Sequence, residues 1–149
     1  MTAAKGAGVA DTYRILVTGS RDWDDDPLLY TTLGMAAQEH GSPDRITVIV
    51  HGACPRGADR TADVWARNHQ IAVERHPAEW DKYGKAAGFR RNAEMVALGA
   101  DLCLAFIKYN SRGATHCADL AEKAGIPVRR YDYWAHSEEP VWLPGMGSV

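Results

Sequence analysis

Two hydrophobic rhythms, a short β-type run and a helical stripe, replace one another along the chain. Residues 13–18 read YRILVT, a run rich in β-formers that stops at Gly19. Asp26 and Pro27 then suit the N-cap and first position of a helix, and Leu28, Leu29, Leu33, Ala36 and Ala37 recur at helical spacing before Gly41-Ser42-Pro43 ends it. Residues 45–51 read RITVIVH, the continuous apolar run of a parallel strand covered on both faces. A turn over 52–57 leads to a helix over 58–69, with Ala58, Ala62, Trp65 and Ala66 on one stripe. Residues 70–76 make a third strand, shorter and more polar, which places it near a sheet edge. Residues 77–88 have no period and read as a long loop. A helix is predicted over 89–98, a fourth buried strand over 101–107 (DLCLAFI), a loop over 108–112, a helix over 113–124 and a fifth strand over 128–131.

Strand and helix alternating with short connections predict an α/β fold: a Rossmann-like, doubly wound parallel sheet of about five strands, with right-handed crossovers and helices on both faces. Such sheets bind ligands outside the carboxyl ends of their strands, where the strand order switches. The domain is expected over 12–136. Residues 1–11, small and polar, read as a flexible leader, and 137–149 as a tail whose Trp142 and Leu143 could dock on a partner or on the domain. Composition adds exclusions. The net charge of −2 weighs against a protein that lives on nucleic acid. Cys54, Cys103 and Cys117 are odd in number and lack C-x-x-C spacing, which argues against disulfides or zinc and fits a reducing cytoplasm. No apolar run approaches the roughly 20 residues that span a bilayer, so no membrane is expected.

The strand-to-helix turns hold the candidate chemistry. After the first strand, Gly19 lets the backbone pass close to a ligand, Ser20 offers a hydroxyl and an N–H, Arg21 offers a planar fork suited to phosphate, and Trp23 follows. After the second come His51, Gly52, Ala53, Cys54, Arg56, Gly57, Ala58 and Asp59, where the first N–H groups of a helix form an anion site. This turn matches neither G-x-x-x-x-G-K-[ST] nor G-x-G-x-x-G, so an NTPase or an ordinary dehydrogenase is not expected. Asp59 compensates the helix dipole, or else meets a ribose hydroxyl or takes part in catalysis. His51 either touches ligand or caps the turn. Cys54 has no visible base beside it and is no nucleophile.

The third region holds Glu79, Trp80, Tyr83, Lys85, Arg90, Arg91 and Asn92. Trp80 and Tyr83 could stack on a base or cover the loop. Arg91, Met95 and Leu98 share a stripe, which puts Met95 and Leu98 in the core and Arg91 at the inner rim, while Arg90 pairs with Glu94. The fourth turn offers Ser111, Arg112, Gly113 and Thr115, with Ser111 alternatively a plain cap. The acidic run Asp22, Asp24, Asp25 and Asp26 is better explained by capping and solvation than by metal binding, and no metal or cofactor is expected.

Taken in order, VTGSRDW, HGACPRGAD, HPAEW, GKAAGFRRNAEM and SRGATH resemble the SLOG superfamily. The nearest group within it is the YspA/cpYpsA-related one, small bacterial and phage proteins with the domain of unknown function numbered 2493. The resemblance covers about residues 13–131 and implies a Rossmann-like fold and a nucleotide-derived ligand. It extends to LOG-type phosphoribohydrolases, whose Arg-polar-x-x-Met helix motif is similar to Arg91, Asn92 and Met95. Their PGG-x-GT-x-x-E loop corresponds to SRGATHCAD, with Thr115 kept and Ala118 where the catalytic glutamate would stand. Asp119 is one step out of register, about 100° around the helix.

The reading is therefore a sensor, carrier or sequestering protein for a nucleotide or a nucleotide-derived small molecule, ADP-ribose-like or a nucleoside phosphate. The alternative is a nucleoside 5′-monophosphate phosphoribohydrolase in which Arg91 stabilises charge and Asp59 or Glu79 is the acid or base. A single-stranded DNA binder is the weakest reading because the chain is acidic. The resemblance also implies a homodimer, paired through the helix that carries the arginine motif.

Overall fold

A computed structural model of the chain describes residues 11–39 and 45–133. Residues 1–10 of the expected leader, the domain end at 134–136, the tail and the Gly41-Ser42-Pro43 helix stop lie outside those residues. Five strands, β1 (Thr12–Gly19), β2 (Ile46–His51), β3 (Ala72–Arg75), β4 (Leu102–Lys108) and β5 (Val128–Tyr133), form one sheet in the order β3-β2-β1-β4-β5. Every pairing is parallel. The sheet is the expected Rossmann-like one, with β3 on an edge. The strand order reverses between β1 and β4, and the polypeptide leaves these two strands in opposite directions.

Residue alternation along the strands builds two cores. Ile15, Val17, Ile49, Leu104 and Phe106 face α1 (Asp26–Gln38) and α2 (Ala58–Asn68), meeting Leu29, Leu33, Ala62 and Trp65. Leu16, Val50 and Cys103 face the other way, onto Met95 and Val96 of α4 (Ala87–Leu98) and Cys117 and Ala121 of α5 (Arg112–Lys123). Burial on both faces is why β2 and β4 read as unbroken apolar runs. No helix is long and apolar enough to cross a membrane among the described residues.

Several local expectations are corrected. Asp25, not Asp26, caps α1, its carboxylate accepting the Leu28 N–H at 3.1 Å; Asp26 instead accepts from the Thr61 hydroxyl. That turns Leu28 outward, and Thr32 takes its place on the buried stripe. Residues 77–88 are not a loop: a short helix α3 (Trp80–Tyr83) and a 3₁₀ turn (Gly84–Ala86) run straight into α4. Starting α4 at Ala87 gives it a buried stripe of Ala87, Asn92, Met95 and Val96, and Leu98 is 60% exposed. Arg90 forms no ion pair with Glu94; its guanidinium lies 3.9 Å over the Tyr83 ring, which α3 brings beneath it.

Ser20 ties the switch point together. Its N–H donates to Phe106 O at 2.9 Å, its hydroxyl accepts the Lys108 N–H at 2.7 Å, and its carbonyl accepts the N–H groups of Trp23 and Ala58, each at 3.2 Å. Such a meeting of β1, β4 and α2 leaves no room for side chains. A Cβ on Gly19 would stand 2.3 Å from the Ala58 Cβ and 2.8 Å from Phe106 O, and one on Gly57, whose φ is +80°, 2.3 Å from Ser20 O. Helix packing by itself requires glycine at position 19.

Gly34, inside α1, has nothing within 4 Å of its would-be Cβ. We predict opposite outcomes in urea denaturation. Gly19→Ala should cost about 2–3 kcal/mol through overpacking, whereas Gly34→Ala should gain about 1 kcal/mol from helix propensity. Similar small shifts in both would contradict this packing.

Candidate functional site

A cleft of about 380 Å³ opens over the carboxyl ends of β1, β2 and β4. The β1 turn contributes Thr18, Gly19, Arg21 and Asp22. From the β2 turn and α2 come Gly52, Cys54, Arg56 and Asp59. The segment after β3 supplies Trp80, Lys85, Gly88, Phe89, Arg91, Asn92 and Met95, and the start of α5 supplies Ser111, Gly113 and Ala114. The cleft straddles the sheet edge, because α2 belongs to one face and α4 and α5 to the other.

Arg91 is fixed by neutral groups alone. Its Nη1 donates to the carbonyls of Gly52 and His76, and its Nε donates to Asn92 Oδ1 at 2.9 Å. Its Nη2 has no acceptor among the described residues and lies 3.8 Å from where a Gly88 Cβ would be, beside the Trp80 ring. Asn92, itself buried, spans to α5 by donating to Gly113 O at 3.2 Å. The guanidinium is packed against Gly52 so closely that a Cβ there would meet Nη1 at 2.5 Å.

Asp59 is buried at the start of α2, and its Oδ2 accepts the Cys54 N–H at 3.3 Å. Burial pushes its pKa up, against the opposing pull of His51, the Cys54 N–H and Arg91. Cys54 beside it is raised in turn, first by burial and then by the Asp59 charge, so it stays a thiol rather than a nucleophilic thiolate. Trp80 is 47% exposed, with the Arg21 guanidinium 5.5 Å from its ring centroid; Phe89 stacks on His116 at 4.3 Å.

Of the residues expected at the site, Gly19, Arg21, Gly52, Arg56, Asp59, Trp80, Lys85, Arg91, Asn92, Ser111 and Gly113 meet in this cleft. The others do not line it. Ser20 is spent on the clamp, with Gly57 and Ala58 packed beneath it. Trp23 packs edge-on against Phe106 at 5.4 Å. His51 is buried: its Nδ1 accepts the Ala53 N–H at 2.9 Å, so its Nε2 carries the hydrogen that Asp63 accepts at 2.7 Å. Ala53, at φ +60°, is held by that same bond. Glu79 borders a separate shallow depression with Tyr83 and Arg90, and Arg112 and Thr115 sit on α5 outside the cleft lining. Thr18, Asp22, Cys54, Gly88, Phe89, Met95 and Ala114 line it without having been expected there. Phe89 had a usable signal: it stands three residues before Asn92, on the same helix face. Ala118 is buried with Ala105, Ile107 and Ala114, and Asp119 is exposed and paired with Arg130 at 2.8 Å. Neither can act as an acid in the cleft.

A model of the YspA, cpYpsA-related SLOG family matches residues 13–83. The chain is also 47% identical over 120 residues to the Gene 61 protein of Mycobacterium phage D29, covering 77% of this chain and 93% of that protein.

Outside the cleft lining, on α2, Asp63 receives His51 at 2.7 Å, Arg67 at 2.8 Å and Arg75 at 2.6 Å. These bonds, Arg75's foremost, hold its carboxyl well below its ordinary value of 3.8. Stabilisation from a depressed carboxylate is complete above pH 3.8 and drains away as the pH falls beneath it. Asp63→Asn should therefore cost about 2 kcal/mol at neutral pH, and its stability should converge with that of the parent chain in acid. A difference that stays constant with pH would contradict the assignment.

Proposed function

The chain belongs to the YspA, cpYpsA-related SLOG family, and from that premise we propose that its cleft binds a phosphate-bearing, nucleotide-derived small molecule, as a sensor, carrier or sequestering protein. One observation carries the reading. Arg21, Arg56, Lys85 and Arg91 all line the cleft, and among the described residues none of them pairs with a carboxylate. Elsewhere Arg14, Arg67, Arg75, Lys108, Arg129 and Arg130 are all neutralised by acidic partners. Arg60, Lys82, Arg90, Arg112 and Lys123 also lack a carboxylate partner among the described residues, but they lie outside the cleft; what sets the four apart is that one concavity of a chain of net charge −2 gathers them. Guanidinium forks in a confined, partly dry site suit phosphate oxygens. Trp80 and Phe89 offer faces for a planar base, and Asp59 can accept from a sugar hydroxyl. The size fits a small-molecule site.

A second reading, N-glycosidic hydrolysis of a nucleoside 5′-phosphate, is favoured by Asp59 alone. Burial keeps this carboxyl a proton donor at higher pH than usual. It would pass its proton to the departing base while water attacks the sugar carbon that base leaves, and the carboxylate so formed would take back the proton the water releases.

Incubation with AMP, ADP-ribose and NAD, followed by chromatography and a melting curve, separates the two. Binding predicts a raised melting temperature and intact ligand, with affinity about tenfold lower or worse in Arg56→Ala. Free base with ribose 5-phosphate, abolished in Asp59→Asn, would establish the enzyme instead. No stabilisation and no turnover with any of the three would overturn both. Native mass spectrometry of the same samples reports subunit number, expected to be two.

A further inference from the structure

We propose that the ligand carries two phosphate-type groups, held at two subsites on opposite sides of the sheet edge: one between Arg21 and Arg56, the other between Lys85 and the Nη2 of Arg91. The inference rests on the ligand-binding reading above and specifies the ligand's class. Its basis is the origin of the four cations. Arg21 and Arg56 sit on the β1 and β2 turns, which feed the helices of one face, α1 and α2. Lys85 and Arg91 come from the segment after β3, which packs on the other face through Met95 and Val96. A single phosphate that satisfies one pair leaves the other without an anion.

Arg91 anchors the second subsite. It is partly buried, tied down at Nε and Nη1 by uncharged acceptors, and presents Nη2 over Gly88 with nothing to receive it. The Trp80 ring lies beside a member of each pair, 5.5 Å from the Arg21 guanidinium and, like Arg91 Nη2, against Gly88, 3.3 Å from where its Cβ would stand. This suits a base or sugar flanked by anionic groups.

Calorimetric titration at low salt with nucleoside 5′-monophosphates, 5′-diphosphates and 3′,5′-bisphosphates of the common bases tests the proposal on the full chain, on Arg56→Ala and on Lys85→Ala. Both substituted side chains are exposed and unpaired, so both variants should keep the parent melting temperature. For at least one base, a diphosphate or bisphosphate should bind about tenfold or more tightly than its monophosphate. One variant should weaken both compounds, while the other should weaken only the doubly phosphorylated one and bring the ratio near unity. Which doubly phosphorylated series wins reports whether the groups are contiguous or separated. Binding within about threefold for mono- and doubly phosphorylated forms, or equal losses for both in both variants, would overturn the two-subsite proposal and leave the pocket standing. Failure of every one of these nucleotides, and of ADP-ribose titrated in the same way, to bind would remove the pocket reading itself.

Discussion

The structure depends on how closely three backbone segments approach at Ser20. One residue receives α2 at its carbonyl, holds β4 through its N–H and hydroxyl, and closes the β1 turn onto Trp23. Gly19 and Gly57 make this approach possible by having no Cβ. Were α2 to start farther from the sheet, Asp59 would not be buried at the cleft floor, and Arg21 and Arg56 would not share a wall. Backbone hydrogen bonding beneath thus positions the cations that line the cleft above.

The opposite wall follows from a second constraint. Arg91 is located by carbonyls of the β2 and β3 turns and by Asn92, which in turn holds the start of α5. Three strand ends are thereby registered to one guanidinium. Using carbonyls rather than carboxylates keeps the arginine's charge available while restricting its motion, the preorganisation that favours anion binding. Ala118 defines what the site lacks. At the position where the resemblance calls for a catalytic glutamate, the chain has a methyl group packed under β4, so any acid chemistry would fall to Asp59.

Strands were legible because burial on both faces writes itself as RITVIVH and DLCLAFI, and the convergence of four turns follows from parallel topology alone. Side-chain assignments at the turns were harder. A polar residue in a strand-to-helix turn looks the same whether it grips a ligand or a neighbouring loop, and Ser20 and His51 grip loops. On α4, two stripes fit the same residues; the choice between Leu98 and Val96 depended on a helix start two residues earlier, set by the 3₁₀ turn. Asp25 and Asp26 are chemically equivalent candidates for a cap, and only the chain's path through Trp23 selects between them.

The central claim is that anions are taken up in the cleft by its unpaired cations. A ¹H–¹⁵N correlation spectrum recorded during titration with ADP-ribose, and separately with ADP, tests it most directly. The account predicts saturable shifts concentrated on the amides of Gly19, Gly52, Asp59, Gly88 and Gly113, together with the side-chain amide of Asn92. Shifts that saturate elsewhere, for instance along α1 and the β5 edge, with these amides unmoved, would contradict it.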